Sequence, residues 1–284
     1  MILIADSGST KTHWSVVDRG QLVHQVFTKG MNPYFQTPEE MGEEIANALI
    51  PNLDSNHFRE IHFFGAGCLP EKVPSVREVL STYFDVEGEI EVDTDMLAAA
   101  KGLCGRKPGI VCIMGTGSNS CFYDGERIVD NVSPLGFILG DEGSGAVLGK
   151  LLVGDILKNQ MGIELKEKFL NQFSLTQAEI IERVYRQPFP NRFLASISPF
   201  LIQNIEEPTI YQLVLNAFKA FLTRNVMQYD YKNNKAHFIG SIAFHYKEVL
   251  IAAAKEVGVE VGTIIQSPMT GLHTYYSSNN HVIY

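Results

Sequence analysis

The 284-residue chain has little of what would mark a nucleic-acid, membrane or disulfide protein. Lys and Arg number 23 against 32 Asp and Glu, a net charge of −9, and no basic stripe stands out. Nucleic acids and anionic lipid surfaces are held by clustered cations, so neither is expected as a partner. No apolar run approaches the roughly 18 residues of a membrane span. The opening Met1-Ile2-Leu3-Ile4-Ala5 stops at Asp6 and lacks a basic segment, so it reads as a strand rather than a signal sequence. Cys68, Cys104, Cys112 and Cys121 are the only cysteines, and no CxxC is present. Buried reduced thiols in a cytoplasm account for them. The histidines form no HxH or HExxH, which argues against zinc, and GxxxxGK[ST] is absent as well.

What remains is an ordinary globular mix, 45% hydrophobic, 19% charged and 10% aromatic, long enough for two domains with separate cores. The chain also resembles itself. Slid along its own length, Ile2-Leu3-Ile4-Ala5 falls on Val111-Cys112-Ile113-Met114 and Ser7-Gly8-Ser9-Thr10 on Thr116-Gly117-Ser118-Asn119, with Trp14 opposite Tyr123. Each half then reads as β-β-β-α-β-α-β-α. The first half predicts a helix from about Thr37, where Thr37 and Glu40 form a capping box, then strand 61–65, helix 74–83, strand 88–92 and a helix from Asp95. The second predicts a helix from about Gly143, strands 236–240 and 260–265 separated by a helix, and a last helix from Met269. Helices between about 161 and 229 are an insertion. Gly, Arg, Lys and Pro between Gly102 and Gly109 place the boundary, giving domains 1–106 and 107–284, with the last helix free to pack on the first. Trp14 and His62 fall in strands and read as packing residues. Two such α/β units would face each other across a cleft, where ligands bind.

Four segments carry chemistry. Asp6-Ser7-Gly8-Ser9-Thr10-Lys11-Thr12 sets a carboxylate, a glycine, hydroxyls and a lysine at a strand end, the parts of a phosphate cradle and a metal site; a plain polar hairpin is the alternative. Gly115-Thr116-Gly117-Ser118-Asn119 repeats that turn, and the pair is far more specific than either alone. Asp95 opens a helix at a strand end, so it is either an N-cap or a proton acceptor. Asp141-Glu142-Gly143-Ser144 precedes another helix, so its acids either cap that helix or bind sugar hydroxyls. Asn32-Pro33 is a turn whose amide could bind a polar ligand. Gly240-Ser241 and Met269-Thr270-Gly271 are strand exits, or else points of close approach for an adenosine.

Taken together, these segments resemble the family that groups N-acetylglucosamine kinases with BadF/BadG-type ATPases, within the sugar kinase, Hsp70 and actin superfamily. Gly115–Asn119 and Gly140–Ser144 are the most specific part of the likeness. The resemblance implies an α/β fold of two RNase H-like (actin-like ATPase) domains around an ATP and Mg²⁺ cleft. By position it makes Asp6 the metal-side carboxylate, acting through water, and Asp95 the catalytic base. Ser7, Gly8, Ser9, Thr10, Lys11 and Thr12, with Gly115, Thr116, Gly117 and Ser118, become phosphate ligands. Asn32, Thr116, Asn119, Asp141 and Glu142 fall at the sugar, and Gly240, Ser241, Met269 and Gly271 at the adenosine. Leu135 stands where vertebrate members carry a tryptophan in the sugar pocket, which leaves the identity of the sugar open. A cytoplasmic kinase of an amino sugar, N-acetylglucosamine first, is the expected activity, and a homodimer is plausible by family. A BadF-type activator of a radical dehydratase is the alternative, opposed by the scattered cysteines. A chaperone-like or actin-like module leaves Asp95 without a purpose. Asp95, at a helix N-terminus, is expected to stay ionised with a low pKa.

Overall fold

The computed structural model describes residues 1–8 and 10–277, which divide into two compact units. Of the described residues, the first holds those up to 107, a short return at 125–127 and 267–277. Its strands β1 (Ile2–Ser7), β2 (Lys11–Asp18) and β3 (Gln21–Lys29) form an antiparallel meander. Then come α1 (Pro38–Glu44), β4 (His57–Phe58), β5 (Glu60–Gly65), α2 (Val73–Tyr83), β6 (Asp85–Val86), β7 (Ile90–Thr94) and α3 (Asp95–Cys104). The sheet runs β3-β2-β1-β5-β7, parallel from β1 through β7, and β4 and β6 make a small separate pair.

Burial follows from position in that sheet. Ile2, Leu3, Ile4 and Ala5 are all buried because β1 is central and covered on both faces, whereas β3, an edge, buries only Val26 and Thr28. Leu3, Ala5, Trp14 and Phe63 share one core, and Ile2, Ile4, Val17 and Phe64 the other, as the two-residue period of a strand requires. Trp14 is fully enclosed, its indole N–H donating to Thr28 Oγ1 at 2.9 Å. The capping box of Thr37 and Glu40 is present at the start of α1.

The second unit repeats the plan. Strands β8 (Gly109–Met114), β9 (Ser118–Tyr123) and β10 (Ile128–Asp130) form its meander, followed by a four-residue α4 (Gly136–Leu139) and by α5 (Gly145–Leu157). The insertion supplies α6 (Ile163–Phe173), α7 (Gln177–Tyr185), α8 (Pro190–Ile197), α9 (Pro199–Gln203) and α10 (Pro208–Arg224). After it come β11 (Ala236–Ile239), α11 (Ser241–His245), α12 (Lys247–Val257) and β12 (Val261–Ile265). Sheet order is β10-β9-β8-β11-β12, the first unit's order again. Its core is rich in aromatics from the insertion, with Phe169, Phe200, Phe218 and Phe221 in one cluster with Phe238 of β11.

The last helix, α13 (Met269–Ser277), returns to the first unit and crosses α3 at two glycines. A Cβ on Gly271 would overlap the Gly102 carbonyl, and one on Gly102 would lie 2.8 Å from the Pro268 oxygen. Beyond that crossing Tyr276 enters a buried polar network. Lys101 Nζ donates to Glu91 at 2.5 Å and to Tyr276 Oη at 2.9 Å, and Tyr276 donates to Glu91 at 2.6 Å. His62 stacks on the Tyr276 ring at 3.7 Å and bonds Glu91 at 2.8 Å, so it is a network member as well as a packing residue.

Local features differ from the sequence reading. The final ladder pairs are Ser7–Thr12 in one hairpin and Met114–Ser118 in the other, so the second turn is a residue shorter and the sliding match is out of register. Trp14 accordingly pairs with Ala5, near its turn, but Tyr123 with Gly109, at the far end. The break between halves is also narrower than expected, because α3 runs to Cys104 and β8 starts at Gly109.

Candidate active site

In the first unit the chemistry gathers at the ends of β1 and β7. Asp6 pairs in register with His13 on β2 and with Phe64 on β5, and Asp95 occupies the first position of α3. Thr94 is the N-cap, its hydroxyl accepting the Leu97 N–H at 3.3 Å, so the capping role expected of Asp95 is filled by its neighbour. Burial pushes the Asp95 carboxyl up to about 6 against hydrogen bonds from the N–H groups of Met96 and Asp95 itself. The low pKa expected at a helix N-terminus is therefore not found, because desolvation outweighs the local N–H groups. Asp6 is pushed up to about 7, first by burial and then by the charge of Asp95, with Lys11 pulling the other way.

Not every residue of the first turn faces a ligand. The hydroxyls of Ser7 and Thr12 are buried 2.7 Å apart; Ser7 donates to the Met31 carbonyl at 2.9 Å and Thr12 to the Lys29 carbonyl at 3.0 Å. The Met31 N–H returns a bond to Ser7 Oγ at 2.9 Å. Both side chains thus hold the segment before Asn32, whereas the sequence reading places the two residues at the phosphates. Gly8 spends its N–H on the Lys11 carbonyl, and the Lys11 ammonium lies 4.5 Å from the centre of the Phe27 ring. Thr10 is exposed, and Ser9 lies outside the described residues.

Asn32 is fixed by a turn of its own. Its Oδ1 accepts the Tyr34 N–H at 2.9 Å, and its own N–H donates to Gln36 Oε1 at 2.6 Å. Gly67, at φ +81°, admits the Asn32 side chain where any Cβ would overlap it. The turn Gly65-Ala66-Gly67-Cys68 was missed in the sequence; two glycines at the end of β5 were the available signal. Burial, then the charges of Asp95 and Asp93, push the Cys68 thiol up to about 12.

In the second unit the turn after β8 meets the Asp141 loop. The Asp141 carboxylate accepts the Ser118 N–H, Ser118 Oγ donates to the Glu142 carbonyl at 2.9 Å, and the Asp141 N–H donates to the Pro134 carbonyl at 2.9 Å. Burial pushes Asp141 up to about 6; the Ser118 bond and Lys150 oppose this and Glu142 adds to it. Ser144 caps α5 through the Val147 N–H, so neither acid serves as its cap. The Gly145 and Ala146 N–H groups of α5 donate to the carbonyls of Gly115 and Thr116 at 2.8 and 3.0 Å, locking helix to turn. Asn119 Oδ1 accepts from the Ser120 N–H and from Asn131 Nδ2.

Of the residues expected at the adenosine, Gly240 (φ +113°) packs over the Met114 carbonyl and Ser241 is exposed at the start of α11. Met269 and Gly271 lie at the contact of α13 with the first unit: Met269 is buried in its core and Gly271 touches Gly102. Packing accounts for both. Among the described residues no three His, Cys, Asp or Glu side chains gather as metal ligands, all four cysteines are free, and no helix is long and apolar enough to cross a membrane.

No protein-family model matches the chain, and no curated protein matches it. Among solved structures, a candidate N-acetylglucosamine kinase from Porphyromonas gingivalis is 50% identical, covers 99% of this chain and 100% of its own, and superposes with a TM-score of 0.96. A second such candidate, from Chromobacterium violaceum, is 15% identical over 96% of this chain and 98% of its own, at a TM-score of 0.77. A ROK family glucokinase from Streptomyces griseus, solved with glucose and AMPPNP, is 12% identical over 97% of each chain at 0.58. The last two establish likeness of fold alone. With half its residues shared over the full length of the Porphyromonas gingivalis protein, the chain belongs to the N-acetylglucosamine kinase and BadF/BadG-type ATPase family of the sugar kinase, Hsp70 and actin superfamily.

Proposed function

We propose that the protein is an ATP-dependent sugar kinase that phosphorylates a hydroxyl of an amino sugar, with N-acetylglucosamine the leading substrate. The observation that carries this reading is Asp95: a carboxylate at the first position of α3, relieved of capping by Thr94 and pushed up to about 6 by burial. Such a group is mostly ionised at neutral pH yet close enough to it to accept a hydroxyl proton. Phosphoryl transfer asks chiefly for positioning and charge stabilisation, so a base that orients the hydroxyl and takes its proton late is sufficient.

Asn32, through its Nδ2, with Thr116, Asn119 and Asp141, is assigned to the sugar. Thr10, Ser9 and Lys11 in the first unit and Gly115–Ser118 in the second are assigned to the phosphates, and Gly240 and Ser241 to the adenosine. Asp6 and Asp95 form a carboxylate pair with the Lys11 cation acting on Asp6, an oxygen donor set that fits Mg²⁺ held partly through water. When bound, that ion neutralises phosphate charge. A cytoplasmic homodimer completes the proposal, with light scattering as the check on assembly.

The test is coupled ADP release with N-acetylglucosamine, glucosamine, N-acetylmannosamine, N-acetylmuramic acid or no sugar. Release stimulated by an amino sugar and abolished by excess EDTA supports the proposal. ATP turnover that no sugar stimulates would favour a chaperone-like module instead.

A further inference from the structure

Asp141 is a non-glycine residue at φ +53°, in the left-handed region that persists in such residues where the surroundings fix it. The next residue supplies an anchor. Glu142 Oε1 meets Arg224 Nε at 2.6 Å and Oε2 accepts Asn225 Nδ2 at 3.4 Å, while Asn225 Nδ2 also donates to the Phe221 carbonyl at 3.2 Å. Both oxygens of this 18%-exposed carboxylate are therefore engaged by the last turn of α10 and the residue after it. Its backbone carbonyl is held by Ser118 Oγ, so side chain and main chain are tied to different elements.

We propose that Glu142, with Arg224 and Asn225, is a positioning residue that fixes the orientation of Asp141, and is not itself a sugar ligand. The proposal rests on the reading of Asp141 as a sugar ligand. It gives the inserted helix α10 a role in substrate binding, although Arg224 is 63% exposed and stands on a helix to which no ligand contact has been assigned. A second consequence is electrostatic. Asp141 faces Glu142 from its own loop, Lys150 from α5 and the Ser118 N–H from β9, and Arg224 offsets the Glu142 charge.

Arg224→Ala, Glu142→Gln and the double variant test this, with sugar and ATP KM, kcat, and hydrogen exchange at the Asp141 and Ser144 amides. Arg224→Ala should raise the sugar KM about three- to tenfold, the scale of one partly exposed ion pair, and speed exchange at those amides, with the ATP KM within about twofold. The double variant should be no worse than Glu142→Gln alone. The pH midpoint of sugar binding should move up in Arg224→Ala and down in Glu142→Gln, opposite shifts that mere loosening does not produce. An unchanged sugar KM and unchanged amide exchange in Arg224→Ala would overturn the proposal, as would additive losses in the double variant. Wild-type protein that no amino sugar stimulates defeats the kinase reading instead; the exchange data then still decide whether the ion pair holds the loop.

Discussion

Replacing Asp95 with Asn should remove activity while leaving the protein as stable as before, or more so at neutral pH. The carboxyl is held at about 6 against an ordinary 3.8, so folding favours its protonated form. A group whose folded pKa is raised contributes stability that is complete below its unfolded value, here 3.8, and is lost as pH rises through about 6. That difference is worth at most about 3 kcal/mol, and the amide carries no such dependence. The Asp95 charge adds to the cost of ionising Asp6, so the variant should also lower Asp6 part of the way toward its ordinary range. Thr94 keeps the cap of α3, so no end of the helix is exposed by the change. The melting temperature of Asp95→Asn minus that of wild type should therefore grow between pH 4 and 7.5, by roughly 2 to 3 °C for each kcal/mol recovered. Over the same interval turnover should fall by about 10²- to 10⁴-fold with the ATP KM little changed. Scanning calorimetry against pH and the ADP-release assay read the two effects separately. A melting difference that stays flat or shrinks with pH refutes the burial argument, and more than about a tenth of wild-type turnover refutes the assignment of the base.

The acid limb of kcat/KM for the wild-type enzyme should have its midpoint near 6, activity falling below it as Asp95 takes up a proton; a midpoint below 5 contradicts the raised value. Lys101→Ala leaves Glu91 buried without its cation and should cost about 3 to 5 kcal/mol in urea titrations, with Lys101→Met milder and Tyr276→Phe about 1.5 to 3 kcal/mol. Glu91 is held down at about 2 by His62, Lys101 and Tyr276 in spite of burial, so this stability should be present above pH 4.5 and lost as pH falls toward 2. Gly271→Ala should destabilise by roughly 1 to 3 kcal/mol or more, since the added methyl meets the backbone of Gly102 rather than a yielding side chain. Ser7→Ala should cost roughly 1 to 3 kcal/mol and raise the sugar KM more than the ATP KM, the reverse of what a phosphate ligand would do.

Patterns carried by neighbours in the chain were legible in the sequence. The two β-β-β-α-β-α-β-α halves, the Thr37–Glu40 box, the insertion and the last helix all show as periodicity, caps and turn residues, which are short-range properties. The choice between cap and proton acceptor for Asp95 stayed open in the sequence because Thr94 and Asp95 both suit a cap, and one step along the chain decides which side chain turns back on the helix. The bonds of the Ser7 and Thr12 hydroxyls to the backbone before Asn32 were not legible for a related reason. A strand sends alternate side chains to opposite faces, and composition does not say which face of the Asp6–Thr12 segment is closed by Met31. The partner of Glu142 was beyond reach altogether, because Arg224 lies on a helix of the insertion that only the folded chain brings near.

The two turns nonetheless use one device, and it explains why hydroxyls were plentiful where few remain for a phosphate. In the first unit Ser7 Oγ grips the Met31 backbone, one residue before Asn32; in the second Ser118 Oγ grips the Glu142 backbone, one residue after Asp141. Each turn assigned to ATP thereby carries, on a single buried or part-buried hydroxyl, the segment that presents a side chain assigned to the sugar. A hydrogen bond of this kind is worth only about 1 kcal/mol, but it sets the position of a neighbour whose misplacement by an ångström can cost a hundredfold in rate. On the proposed assignments, phosphate turn and sugar ligand are therefore built as one piece within each unit. Serine at these turns has a structural reason to be there even if it never touches a nucleotide.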